Sequence, residues 1–94
     1  MGRYEPIKLK LSKRKIAIID YINMTLIVRG MTKVQLAAEL QVNAYAVYNP
    51  LLKRQKLTEE MRVRIFETLK ITDTDIDNVI ESMAQQDANN AGGI

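Results

Sequence analysis

Neither histidine nor cysteine occurs anywhere in this chain. Their absence removes disulfides, the usual zinc sites, thiol nucleophiles and any imidazole base. Catalysis would have to rest on a carboxylate or a lysine, and the acidic residues gather at expected helix starts, where capping explains them. Tryptophan is missing too, and one phenylalanine and four tyrosines make up the aromatic complement. Those are too few, and not arranged on a strand platform, to stack RNA bases. The four glycines form no phosphate-cradling loop. No uncharged apolar run approaches the roughly 18 residues of a membrane span. The N-terminal stretch GRYEPIKLKL lacks the apolar centre of a secretion signal. The expectation is a cytoplasmic protein that is not an enzyme, with no cofactor, no metal and no membrane partner.

What is present points to a single folded unit. Ninety-four residues, 47% of them hydrophobic, suit one domain with a modest core and exclude a wholly disordered chain. The net charge of +3 is unevenly spread. Residues 1–33 carry eight basic and two acidic side chains, residues 34–70 six and four, and residues 71–94 five acidic and no basic. A basic front with an acidic rear resembles a nucleic-acid face whose opposite side meets solvent or a partner.

Residues 1–11 read as a short extended basic arm, in which Ile7, Leu9 and Leu11 alternate with Lys8 and Lys10. Three readings stay open for it: an arm that enters DNA, a strand that closes a dimer, or a partly ordered terminus. Ser12 is the expected N-cap of a helix from Lys13 to about Arg29. Its apolar residues at helical spacing are Ile16, Ile19, Ile22, Leu26 and Ile27. Ile18, Met24 and Val28 add more apolar surface than one face requires. The β-branched run MTLIVRG also allows a strand, but Arg29-Gly30 reads as a helix exit. Lys13-Arg14-Lys15 lies in the first turn, where cations oppose the helix dipole and an anionic partner relieves them.

The centre of the chain is Thr32 to Asn49. Thr32 and Gln35 make a capping-box pattern, and Val34, Leu36, Ala37 and Leu40 give a narrow inward face. Gln41-Val42 interrupts the pattern, and Asn43 caps a second short helix that turns Ala46 and Val47 inward. Two short helices, a tight turn and small residues at the crossing describe a helix-turn-helix. The segment GMTKVQLAAELQVNAYAVYN resembles the helix-turn-helix of the lambda-repressor-like superfamily at Gly30, Met31, Thr32, Leu36, Ala37, Val42 and Val47. LTEEMRVRIFETLKIT, from Leu57 to Thr72, is similar to the next helix of lactose-repressor-type headpieces. The two stretches cover about half the chain. Gln41 stands where the family has a turn glycine, and Pro50 implies a second helix ending near Tyr48 or Asn49 unless it only kinks there.

Thr58 is the expected cap of a fourth helix with Met61, Val63, Ile65, Phe66 and Leu69 on its core face. Thr72 to Gln86 reads as a fifth, with Ile76, Val79, Ile80 and Met83 in one stripe and Thr72 or Thr74 as cap. Residues 87–94 show no periodicity and read as a disordered tail. The expected architecture is all-α, a five-helix lambda-repressor-like domain over residues 12–86 behind the basic arm.

The resemblance implies double-stranded DNA as partner and a homodimer, as for a small phage- or plasmid-like repressor. Carried onto this chain, it gives Asn43, Ala44, Tyr45, Tyr48 and Asn49 as base contacts. Lys13, Arg14, Lys33, Lys53, Arg54 and Lys56 are the expected phosphate contacts. The competing reading is a protein-binding module, such as an antirepressor, docking through Tyr45, Tyr48 and the apolar surplus of the first helix.

Overall fold

The structure, a computed structural model, describes the backbone of residues 11–92 and the side chains of residues 11–84. The expected arm over residues 1–11 therefore lies outside the described residues except for Leu11. The chain is all-helical: α1 (Lys13–Arg29), α2 (Lys33–Leu40), α3 (Ala44–Leu51), α4 (Glu59–Leu69) and α5 (Asp73–Gly92). Among the described residues there is no strand.

Each helix begins where a side chain satisfies its first free amides. Ser12 accepts from the Lys15 amide at 3.2 Å and Thr58 from the Met61 amide at 3.2 Å. Thr72 and Asp75 close a reciprocal pair at 3.0 and 3.2 Å, which makes Thr72 the cap of α5. The helix ends share a second device. Gly30, Gln41, Lys53 and Lys70 all take left-handed backbone geometry. The amide one residue further on then reaches back to the last turn: Met31 to the Leu26 carbonyl, Val42 to Ala37, Arg54 to Asn49 and Ile71 to Phe66. Met31, Val42 and Ile71 also pack on the core, so three of the four turns are held by burial as well.

All five helices supply the core. Ile22, Leu36, Ile65, Leu69, Ile76 and Val47 are its largest fully buried side chains. α1 packs on α3 and α5, and α2 on α3 and α4, so α1 and α2 bind the other three elements together.

Four expectations about elements are corrected. α3 does not stop before Pro50 but runs through it to Leu51. The proline forfeits one backbone bond in the last turn, while its ring is buried and the carbonyls beyond it find other donors. Ile27, read at the helical spacing of the core residues, and Val34, read as inward-facing, are 76% and 51% exposed: among the described residues no element covers that side of α1 or α2. Val63 is likewise exposed on α4. Finally, the backbone stays helical to Gly92, so residues 87–92 do not belong to a tail without structure. Extending an existing helix fixes one residue per bond gained, which here offsets the poor helix propensity of Asn89, Asn90 and Gly92. Among the described residues, no helix is long and apolar enough to cross a membrane.

Candidate nucleic-acid interface

The candidate site is built on α2, the turn and α3. Thr32 accepts from the Gln35 amide at 3.0 Å, and the Gln35 side chain accepts from the Thr32 amide at 2.8 Å. This capping box fixes where α2 starts. Gln41 then takes φ 59 and ψ 45, left-handed geometry that the chain enters without a glycine. Leu36, Ala37 and Leu40 bury one side of α2, and the small Ala37 side chain permits a close approach by α3. Asn43 Oδ1 accepts from the Tyr45 amide at 2.8 Å and starts α3. Val47, Pro50 and Leu51 are its buried side.

The other side of α3 is displayed. Tyr45 is 71% exposed, Tyr48 and Asn49 are half-buried, and Leu52 beyond the helix end is 46% exposed. The spacing 45, 48, 49, 52 places them on one helical face. Ala44 packs partly against the core. The five expected base-reading residues thus share one short helix and its cap, but with different freedom. Asn43 spends its oxygen on the cap and keeps only its amide as a donor. Asn49 donates to Gln55 Oε1 over a long 3.4 Å contact, which a better acceptor displaces easily.

The expected phosphate contacts divide. Arg54 and Lys56 are exposed on the loop after α3, and Lys33 is half-exposed in the first turn of α2. Arg14 instead reaches α5, with its guanidinium 2.7 Å from Asp77 and 3.9 Å from Asp73. The Lys53 ammonium lies 3.1 Å from Asp20 on α1. Both cations are therefore partly neutralised within the chain. Lys13 is an exposed residue of the first turn of α1.

Arg62 and Arg64, two further cations of α4, both do internal work. Arg62 donates to Glu59 at 2.5 and 3.0 Å, stands 3.7 Å from Asp73 and lies 4.8 Å above the Phe66 ring. Its hydrogen bond holds the Glu59 carboxyl below its ordinary value, and the same bond raises Arg62. Arg64 donates to the Leu40 carbonyl at the end of α2. Arg29 donates to the Leu69 carbonyl at the end of α4, at 2.6 Å. Cations at these carbonyl ends suit the helix dipoles and pin the ends of α2 and α4.

Asn23 was also missed as a support of α3. Its Nδ2 donates to the Leu51 carbonyl at 3.2 Å, tying the end of α3 to α1, while its Oδ1 is buried without a partner. Among the described residues, no group of three or more acidic side chains could hold a metal ion. No protein-family model, curated protein or solved structure matches the chain.

Proposed function

We propose that the chain is a sequence-specific DNA-binding transcriptional regulator, a small phage- or plasmid-like repressor of the lambda-repressor-like helix-turn-helix kind. The observation that carries the reading is the capped pair α2–α3, joined by a left-handed residue at Gln41. It displays Tyr45, Tyr48 and Asn49 next to a basic loop, Lys53 to Lys56. In this reading α3 lies in the major groove with its first turns on base edges. Asn49, whose amide is only loosely held, pairs bidentately with adenine. Asn43 donates through its free amide, Ala44 meets a thymine methyl, and the tyrosines donate or accept at bases or phosphates. Lys33, Arg54 and Lys56 supply salt-dependent affinity through counterion release.

The test is a fluorescence-anisotropy titration at several salt concentrations. Fragments from upstream of the protein's own gene are compared with random duplex. Preference for one fragment, with affinity that falls steeply as salt rises, supports the reading. Equal binding to all fragments leaves a non-specific role, and no binding at low salt overturns it.

A second reading has its own observation. The displayed face of α3, Tyr45, Tyr48, Asn49 and Leu52, bears no charge, which suits a protein-binding module such as an antirepressor. Absence of DNA affinity at low salt is the outcome that favours it.

A further inference from the structure

α1 carries apolar surface that no other described element covers. Ala17, Ile18, Ile19, Ile22 and Leu26 are buried, whereas Met24, Ile27 and Val28 are 59%, 76% and 76% exposed. These three sit at i, i+3 and i+4 and so share one face. Leu52, 46% exposed, extends the patch. It follows Leu51, whose carbonyl is held by Asn23 at 3.2 Å, and Asn23 directly precedes Met24. Single exposed apolar residues are ordinary, but adjoining ones of this size mark an interface.

The rim of the patch indicates what covers it. Asp20 and Lys53 stand at its edge, 3.1 Å apart, one of each sign. A two-fold contact sets one patch against itself. A rim of a single sign would repel its copy, as a contact through residues 71–94, with five acidic and no basic side chains, would. A rim with one acid and one base is complementary to itself, since Asp20 of one copy can meet Lys53 of the other.

We propose that Met24, Ile27, Val28 and Leu52 form the surface on which a second copy of this chain docks, with Asp20 and Lys53 pairing crosswise at its rim. Four apolar side chains per copy fall short of the roughly 800 Å² per partner of a stable interface. The dimer is therefore weak alone and strengthened by a shared ligand. The DNA reading supplies that ligand, but self-association stands on the patch itself and is measured without DNA.

The experiment is sedimentation velocity of the full chain from micromolar to millimolar concentration. Wild type is expected to pass from monomer to dimer over that range. Ile27→Glu, with helicity checked by circular dichroism, weakens association by at least about tenfold, because two carboxylates enter an apolar contact. Val63→Glu, at an exposed site on α4, associates like wild type. Asp20→Lys and Lys53→Asp each self-associate less than wild type, while their mixture forms heterodimers more tightly than either variant alone. A chain that stays monomeric throughout, an Ile27→Glu variant equal to wild type, or a mixture no tighter than its components overturns the proposal. A dimer that binds no DNA supports this surface and overturns the DNA reading instead.

Discussion

Gln41, Lys53 and Lys70 hold φ of 59°, 62° and 59°, where only glycine is free of Cβ strain. Each forfeits roughly 1 kcal/mol relative to glycine in the same turn. Gln41→Gly and Lys70→Gly are expected to raise the melting temperature by about 4–8 °C each in a domain of this size. Gln41→Val should lower it, since a β-branched residue fits that region worst. Thermal unfolding followed by circular dichroism checks all three, and a fall for Gln41→Gly would remove the turn from its assigned place. Lys53→Gly gains less, because it also loses the ion pair with Asp20. Glu59 carries a pH dependence whose sign follows from its partner. Its carboxyl is held below the ordinary value of 4.5 by the hydrogen bond from Arg62. Its stabilising effect is thus complete above that value and is lost as pH falls through the lowered one. Glu59→Gln is expected to lower stability slightly at neutral pH, where this exposed pair is fully formed, and to flatten the acid limb so that variant and wild type converge as pH falls below about 4.5, read from urea midpoints across that range.

The elements were legible where their signals are local and hidden where they are not. Ser12, Thr32, Asn43 and Thr58 announced four helix starts, and Thr72 or Thr74 a fifth, because a cap acts on amides two or three residues away. The ends at Lys53 and Lys70 gave no such sign, since their glycine is replaced: the Lys70 turn is held by burial of Ile71, and the Lys53 turn by the Arg54 amide on the Asn49 carbonyl. Pro50 misled for a related reason: its local cost is real, but tertiary burial of its ring outweighs it. Ile27 and Val34 showed helical spacing without burial, because spacing reports a face and not what covers that face. Arg14, Arg29 and Arg64 meet partners 63, 40 and 24 residues away, so their structural roles could not be read from neighbours. Asn23 is the same kind of residue, and it governs the end of α3. Asn23→Asp replaces the donor to the Leu51 carbonyl by an acceptor, with Asp20 one turn away. The expected cost is about 1–3 kcal/mol, with faster amide exchange concentrated at Leu52 to Arg54. Uniform acceleration across α1 and α3 would show instead that the bond does not hold the end of α3.

At the scale of the whole molecule, the charge polarity of the sequence survives folding only in part. Arg14, expected on the phosphate face, turns to Asp73 and Asp77 and fastens α1 to α5. Lys53 is half committed to Asp20. Lys33, Arg54 and Lys56 pair with no acidic group among the described residues and remain as the uncommitted cations beside α3. This division separates two classes of variant if α3 reads DNA. Arg54→Ala and Lys56→Ala each remove one phosphate contact, so affinity falls alike on every sequence and the slope of log affinity against log salt flattens by about 1. Arg14→Ala leaves that slope in place and lowers the melting temperature instead. Its pairs are exposed, so the loss is within about 1 kcal/mol. Asn49→Ala keeps the slope as well but narrows the gap between operator and random duplex by about 1–3 kcal/mol, the value of one bidentate base contact. Anisotropy titrations of the four variants over one salt series resolve all of these outcomes. Should Arg14→Ala flatten the slope as Arg54→Ala does, its pairs with α5 open on binding and the phosphate face reaches the first turn of α1. Identical effects of Asn49→Ala and Arg54→Ala would deny α3 any part in reading sequence, and leave its uncharged face to a protein.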